Sequence, residues 1–419
     1  MSTGTLDRTS REAVASACND VHDPVAADQV DGIVPGVVAC PSDVEQVAET
    51  LGAARAHGLT VVPRGRGTKL SWGRPPSSAD VLLDVSALQA VLDHAAGDLI
   101  VTAQAGARLA DVQRAVGSVG QRLAVDETVP GTTIGGLLAA NTSGPRRVAI
   151  GSARDLLIGI TVVRADGVVA KAGGRVVKNV AGYDLGKLMI GSLGTLAVIV
   201  DATFRLHPLP PAMAWVSAPA GSPAEAQMLV QSVLHAQAVP SAIEVDWADG
   251  VGTVSVLLEG RDDGVAGRAE TVRGLLGETS MGSSNEQPAA RATYPWDVTA
   301  GGDDRATALK LTFALSGLAD VLTATTEVGA TLRGSAGAGV VYAALPSDTS
   351  FVAVRGALDR LRRTCTGHGG STVVVDAPAN VKGGLDVWGP VPALDLMRRV
   401  KDQFDPDHRL SPGRYVGGI

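Results

Sequence analysis

Residues 61–73 read VVPRGRGTKLSWG, an apolar run that leads into a glycine-rich loop carrying three cations. The apolar run predicts a short buried strand, and the glycines permit the positive φ angles that let backbone amides converge on an anion. Arg64, Arg66 and Lys69 can add positive charge, although loop cations are often simply solvated. The stretch therefore predicts a strand followed by a phosphate-binding loop.

A second glycine-rich segment, residues 130–144, reads PGTTIGGLLAANTSG. It places two threonines and two glycines before a short helix of small residues. We expect its exposed amides to bind an anion, and its small side chains to let a cofactor approach the backbone. Two such loops, far apart in sequence, suit a diphosphate better than a single phosphate.

The common nucleotide and hydrolase motifs are absent. The dinucleotide fingerprint GxGxxG fails because residues 65–70 read GRGTKL and no helical pattern begins there. The Walker pattern fails in residues 181–188, AGYDLGKL, where Ala181 replaces the first glycine and Leu188 replaces the hydroxyl residue. No GxSxG nucleophile elbow occurs.

Composition bounds the class of protein. The chain has 419 residues, and its net charge of −7 argues against nucleic-acid binding. Cys18, Cys40 and Cys365 lie far apart, which predicts reduced thiols and no zinc or iron–sulfur cluster. The N-terminus does not resemble a secretory signal, and no apolar run is long enough for a transmembrane segment. We therefore expect a cytoplasmic protein that can sit at the inner face of the membrane through its partners.

The pattern along the chain predicts an α+β fold. Residues 1–30 lack periodicity and are expected to be loosely ordered, whereas residues 41–58 predict a helix with a Ser42–Glu45 capping box. Prolines in residues 208–211 mark the best candidate domain boundary. The strands and helices that follow predict a second α+β domain with an antiparallel sheet.

The motifs, taken in order, resemble a known family. VVPRGRGT, PGTTIGGLLAANTSG and VKNVAGYDLGKLMIGSLGTL, within residues 30–209, resemble the FAD-binding domain of the vanillyl-alcohol oxidase/PCMH-type flavoproteins. The last of these and the closing FDPDHRLSPGR are most similar to the glycolate oxidase and D-lactate dehydrogenase branch. The resemblance implies a two-subdomain FAD-binding domain over 31–209, a smaller cap or substrate domain over 210–380, and a C-terminal segment, 381–419, that returns to the FAD domain.

The resemblance also implies the residues that hold FAD. The first loop would contact the pyrophosphate, the second would run along it towards the flavin, and a later turn and strand would meet the adenine end. These residues are Arg64, Gly65, Arg66, Gly67, Thr68, Pro130, Gly131, Thr133, Gly135, Gly136, Asn141, Ser143, Gly194 and Ile199. Some family members attach FAD through a histidine in or beside the first loop; none occurs here, so we expect non-covalent FAD.

The substrate domain departs from the family pattern. Catalytic members that oxidise 2-hydroxy acids carry an HxGDGNxH-like metal motif, but the corresponding segment here reads GSAGAGVVYAAL. We therefore expect no metal site. If the chain is itself catalytic, Lys310 is the candidate carboxylate anchor, with a solvated strand-edge lysine as the alternative. Tyr183 has either a flavin-side role or, with Asp184, a structural role at a helix start.

Within this branch the chain is most similar to the smaller of the two FAD-binding subunits of bacterial glycolate oxidase. The resemblance implies a small hydroxy-acid substrate and two partners, a second FAD subunit and an iron–sulfur subunit. Two alternatives stay open. The chain can be a self-sufficient, metal-free oxidase or dehydrogenase of a hydroxy acid or alcohol, or a flavin-loaded, non-catalytic scaffold.

Overall fold

A computed structural model describes residues 6–175, 184–277, 281–284 and 293–419. Its helices are α1 Arg8–Ala17, α2 Val44–Ala56, α3 Leu109–Gly117, α4 Ile134–Ala140, α5 Arg147–Ile150, α6 Ala153–Leu156, α7 Leu185–Met189, α8 Pro223–Leu234, α9 Asp262–Leu276, α10 Leu318–Glu327, α11 Phe351–Gly367, α12 Ala379–Gly383 and α13 Leu394–Phe404.

The part of the chain before the prolines forms two main sheets. Its strands are β1 Val21–His22, β2 Val37–Ala39, β3 Val61–Arg64, β4 Val81–Asp84, β5 Val91–Ala95, β6 Ile100–Gln104, β7 Gln121–Arg122, β8 Leu157–Arg164, β9 Val169–Gly173, β10 Ala197–Arg205 and β11 His207–Pro208. The first sheet has the order β1-β2-β4-β3, with β2, β4 and β3 parallel. The second is antiparallel, with the order β5-β6-β10-β8-β9, and β11 pairs with β7.

The N-terminal segment is ordered, which corrects the expectation for residues 1–30 over the described positions. Helix α1 begins after Asp7, whose carboxylate accepts from the Ser10 amide. The helix packs on α2 and buries Val14. Helix α2 was correctly predicted, but its N-cap is Asp43, whose carboxylate accepts from the Gln46 amide, and not Ser42.

Beyond the prolines the chain builds one large sheet. Its strands are β12 Ala212–Ala220, β13 Ala242–Ala248, β14 Val251–Gly260, β15 Met281–Ser284, β16 Thr307–Thr312, β17 Thr331–Ser335, β18 Val340–Leu345 and β19 Ser371–Asp376. All pairs are antiparallel, in the order β15-β12-β14-β13-β17-β18-β16-β19. Helices α8 to α11 bury their apolar sides against it in one core. The predicted α+β fold with an antiparallel sheet is confirmed.

A buried ionic cluster ties this sheet region to the preceding sheets. Glu259 of β14 accepts two hydrogen bonds from the Arg122 guanidinium, at 2.7 and 3.0 Å, and one from Arg146 at 3.0 Å. Arg146 also pairs with Asp126. Burial alone would raise the pKa of Glu259, but the two guanidinium groups outweigh it and lower the pKa. The carboxylate therefore stays ionised at the junction.

A second buried cluster lies at another point of the same junction. Asp31 pairs with Arg305 at 2.7 Å and with Lys382, and Arg305 also pairs with Asp376 at 2.8 Å. The Ser71 hydroxyl, just after the first glycine loop, donates to Asp376 at 2.8 Å. The two clusters therefore tie the large sheet to the preceding part of the chain at two points, the second of them next to the first loop.

The C-terminal segment returns to the first sheets. Leu410 bridges to Val61 of β3. Lys401 of α13 is fully buried, pairs with Asp405 at 2.6 Å and donates to the Thr195 carbonyl at 2.7 Å. Strand β3, which delivers the first loop, is thus held by the far end of the chain.

Candidate functional site

A cleft runs between the two glycine-rich segments. The predicted residues that line it are Arg64, Gly65, Arg66, Gly67, Thr68, Thr133, Gly135, Gly136, Gly194 and Ile199. Lys69, Ala105, Ala139, Ala140 and Arg414 line it as well. The structure therefore brings both loops and the later turn, which lie far apart in the sequence, to one site.

The first loop keeps its backbone amides available. Among the described residues, the amides of Arg66, Gly67 and Thr68 donate to no protein acceptor. Gly67 has φ +73°, which a side chain would strain, and a Cβ at Gly65 would lie 2.6 Å from Thr133 Oγ1. These glycines let the loop turn with its amides free and lie directly against the second segment.

The second segment is different, and the expectation of exposed amides there is wrong for its central residues. The amides of Ile134 and Gly135 donate to the carbonyls of Ala107 and Ala105 at 2.9 and 2.8 Å. The Gly136 amide donates to Thr133 Oγ1, and the Gly131 amide to Glu127. The segment therefore forms a wall of the cleft whose amides are already satisfied by protein acceptors.

The three cations of the first loop have different environments. Arg64 donates to Asp84 at 2.9 and 2.6 Å and to Asp28 at 2.6 Å. Burial alone would lower the pKa of its guanidinium, but the two carboxylates raise it. Arg66 is exposed and has no hydrogen bond or ion pair within the described part of the chain.

Lys69 is only 8% exposed. Its ammonium donates to Thr132 Oγ1 at 2.8 Å and to Thr68 Oγ1 at 3.1 Å, so it joins the two loops. Burial lowers the pKa of this lysine to about 8, while the negative charge of Glu127 partly opposes the shift. Among the three loop cations, Lys69 thus has the largest shift of its pKa.

Four predicted cofactor residues do not line the cleft: Pro130, Gly131, Asn141 and Ser143. Asn141 ends α4 with φ +49°, and its side-chain oxygen is buried with no hydrogen-bond partner among the described residues. Ser143 accepts from Arg147 at 2.8 Å and lines a second cavity. The predicted contacts of these four residues with FAD stay predictions.

An aromatic cluster, formed by Trp72, Tyr294, Trp296 and Tyr342, adjoins the cleft at the junction with the large sheet. Tyr294 stacks on Trp296 with ring centroids 4.5 Å apart and meets Tyr342 edge-on at 4.6 Å. Ala140 packs against this cluster and also lines the cleft. The cluster is therefore the wall between the cleft and the large sheet.

A second cavity lies next to the cluster. Arg147, Glu244, Tyr294, Arg333 and Tyr342 line it, together with Thr128, Ser143 and neighbouring backbone. Burial raises the pKa of Tyr294 well above its ordinary value, and Tyr342 adds to the shift. Its hydroxyl, which accepts from Thr128 at 3.0 Å, therefore stays protonated near neutral pH.

The two arginines that line this cavity differ in whether they have a carboxylate partner. Arg333 pairs with Asp246 at 3.1 Å. Arg147 has no carboxylate within ion-pair distance among the described residues, and its charge acts on Tyr294. Within the described part of the chain, Arg147 is thus the cation of this cavity that lacks a carboxylate partner.

Of the two residues predicted to act in catalysis, the structure describes only Lys310. Lys310 lies directly opposite Tyr342 in the sheet register, which puts it on the same face, but it lines neither the cleft nor the second cavity. Tyr183 falls outside the described residues. Their proposed roles stay predictions.

Two features are absent from the residues that the structure describes. No group of three or more His, Cys, Asp or Glu side chains among them is arranged to hold a metal ion. No described helix combines the length and apolar character that crossing a membrane requires.

Parts of this chain are similar to known proteins. Residues 35–173 match the model of a family described as FAD binding domain. The chain is 32% identical to glycolate oxidase subunit GlcD of Bacillus subtilis over 212 residues, covering 50% of this chain and 45% of that protein. It is 34% identical to glycolate oxidase subunit GlcE of Escherichia coli over 168 residues, covering 41% and 47%. The chain thus spans about half the length of these two relatives.

One solved structure, p-cresol methylhydroxylase with substrate bound, superposes with a TM-score of 0.77 over 98% of this chain and 97% of that one. The identity is 14%, so this likeness concerns the fold alone. The chain carries a PCMH-type FAD-binding domain. The resemblance read from the sequence is confirmed, as is FAD as the cofactor.

The residues of this FAD-binding domain fit the cofactor. Within the described part of the chain, the first loop offers free amides, and Lys69 offers a cation without a carboxylate partner. No histidine is among the described residues that line the cleft. Non-covalent attachment nevertheless stays a prediction.

Several residues of the site were not identified as site residues from the sequence. Lys69 was noted only as a loop cation, and Arg147, Tyr294 and Tyr342 were not considered. The scarcity of aromatic residues was the one usable signal in the sequence. They make up only 3% of the chain, and two of its four tyrosines, Tyr294 and Tyr342, belong to this cluster. Their positions, 294 and 342, are nevertheless too far from the glycine loops for spacing to connect them.

Proposed function

We propose that this chain is an FAD-dependent oxidoreductase that acts on the CH–OH group of a small hydroxy acid. The observation that carries the proposal is the second cavity, which adjoins the FAD cleft across the aromatic cluster and contains Arg147, a cation with no carboxylate partner among the described residues. The names of the relatives, glycolate oxidase subunits, support this substrate class.

The residues of the second cavity match the chemistry of a hydroxy acid. Arg147 would bind the substrate carboxylate, because guanidinium groups pair with carboxylates in a planar, bidentate geometry. Tyr294 stays protonated and would donate a hydrogen bond to a substrate oxygen. Glu244, a carboxylate that lines the cavity, would accept the hydroxyl proton. When bound, FAD would accept the hydride that leaves the carbon bearing this hydroxyl group.

We further propose that the chain works as the smaller FAD subunit of a glycolate oxidase-like assembly, passing electrons to a second FAD subunit and an iron–sulfur subunit. The similarity to both GlcD and GlcE supports this arrangement. The alternative is a self-sufficient enzyme, in which the residues of this chain that line the second cavity would be enough to bind and oxidise the substrate.

Anaerobic mixing of the FAD-loaded chain with glycolate or D-lactate tests these proposals. Bleaching of the flavin band by the isolated chain supports the self-sufficient enzyme, and bleaching only with partner subunits present supports the assembly. Absence of bleaching in both cases, with FAD bound, contradicts hydroxy-acid oxidation and leaves the scaffold alternative.

Arg147→Met tests the proposed anchor. It should raise the KM for the hydroxy acid by about 10–100-fold, the range for a lost hydrogen bond to a charged group, with FAD content unchanged. Arg154→Met, at an exposed arginine on α6, is the matched control and should leave KM unchanged. An unchanged KM in the Arg147 variant would remove Arg147 from the substrate site.

A further inference from the structure

We propose that Lys69 provides the positive charge that neutralises the diphosphate of FAD. This role concerns cofactor binding alone and is independent of the substrate proposed above. Lys69 differs from the other buried lysines in its partners, and from Arg64 and Arg66 of the same loop in the charge that it can offer to an anion.

Three lysines are buried in the described part of the chain, and two of them are neutralised by protein carboxylates. Lys382 pairs with Asp31 and Asp376, and Lys401 pairs with Asp405 at 2.6 Å. Lys69 has no described carboxylate within ion-pair distance and donates to two threonine hydroxyls. A buried ammonium without a counter-charge is costly, so an anionic ligand is the expected partner.

The ammonium is placed where that ligand is expected. Lys69 lines the cleft directly after the loop whose amides are free. Its Cε lies 4.0 Å from the point that a Cβ would occupy if Gly136, on the opposite wall, carried a side chain. Thr132 Oγ1 donates its own proton to the Val129 carbonyl at 2.6 Å and so is fixed as an acceptor for Lys69. The lysine is therefore held at the junction of the two loops.

The other cations and the amides of the two glycine-rich loops do not provide a comparable charge. Arg64 is neutralised by Asp28 and Asp84, and Arg66 is exposed to solvent, where its charge is screened. The central amides of the second segment are bonded to protein acceptors. Within the two loops, the charge of the diphosphate thus falls to the free amides of the first loop and to Lys69, while Arg414, a buried cation that also lines the cleft, donates from one guanidinium nitrogen to the carbonyls of Leu70 and Trp72.

Titration of the apoprotein with FAD, followed by flavin fluorescence, tests the proposal. Lys69→Met should weaken FAD binding by about 10–100-fold, the range for a lost charged hydrogen bond. Lys69→Gln should weaken it equally, because glutamine keeps hydrogen bonds to the threonines but not the charge. Lys171→Met, at an exposed lysine of β9, is the control and should bind FAD like the wild type.

Two further readouts separate this role from others. The melting temperature of the Lys69→Met apoprotein should equal or exceed that of the wild type, since a buried unpaired charge is removed, while the stabilisation by FAD should shrink. The visible spectrum and the sulfite affinity of the bound flavin should not change. A glutamine variant that binds FAD like the wild type, or a change in sulfite affinity that places the lysine at the flavin ring, would overturn the proposal.

Discussion

The two glycine-rich loops look alike in sequence but differ in how their hydrogen bonds are used. In the first, the amides of Arg66, Gly67 and Thr68 have no protein acceptor among the described residues. In the second, the amides of Ile134, Gly135 and Gly136 are bonded to Ala107, Ala105 and Thr133. The first loop can therefore bind an anion with its amides, whereas the second forms a wall of the cleft and has no central amide to offer.

The largest expected effect concerns Arg64, the loop cation that we interpret as structural. Arg64→Met should lower the free energy of unfolding of the apoprotein by about 3–5 kcal/mol, because it leaves the buried carboxylates of Asp28 and Asp84 uncompensated. Urea denaturation measures this change. Arg66→Met, in the same loop but exposed, should stay within about 0.5 kcal/mol of the wild type. Equal losses in the two variants would contradict the distinction between these arginines.

Closer to the cofactor, Gly65→Ala should weaken FAD binding by roughly 100-fold, because its Cβ would collide with Thr133 Oγ1 and separate the loops. Titration of the apoprotein with FAD measures this loss. Gly52→Ala, in α2 with open space around its Cβ, is the matched control and should leave FAD affinity unchanged. Wild-type affinity in the Gly65 variant would show that the loops need not touch.

A smaller effect is expected at Thr133, the N-cap of α4, whose hydroxyl accepts from the Gly136 amide. Thr133→Ala should lower the stability of the apoprotein by about 1 kcal/mol through the lost cap. Thr133→Ser keeps the hydroxyl and should retain most of the wild-type stability. If serine gives no rescue in thermal unfolding, the hydroxyl is not the stabilising group of the second segment.

The last effect, similar in free energy to the loss of the α4 cap, is a pH dependence. Lys69 has a pKa of about 8 in the free protein, and Glu127 is the ionisable group whose charge acts on it. Binding of an anion raises this pKa, so the added affinity is fully present below about pH 8 and declines as the pH rises further. We expect FAD affinity to fall roughly five- to tenfold between about pH 7 and 9. Lys69→Met should remove this decline. A wild-type affinity for FAD that rises with pH would contradict the proposal that Lys69 neutralises the diphosphate.

Much of the FAD-binding domain was predictable because its determinants are local. The run VVPRGRGT encodes a strand and a turn, and TTIGG encodes a capped helix of small residues, which predicts an anion site. The identity of the cofactor, FAD, followed from the family resemblance that these motifs carry. The N-terminal segment was predicted incorrectly because α1 gains its stability from packing Val14 against the core. That contact has no signature in a short window of sequence.

The sequence by itself determined the two glycine-rich loops, since glycine, threonine and small side chains at those positions limit the backbone conformations, and the family resemblance of these motifs indicated an FAD-binding domain. Only the tertiary structure decided which groups of the loops are left without a protein partner of opposite charge. Asp28 and Asp84 neutralise Arg64, whereas no carboxylate of the described residues comes within ion-pair distance of Lys69. The physical reason is that the effect of a charge is set by its neighbours, and those neighbours come from distant parts of the chain.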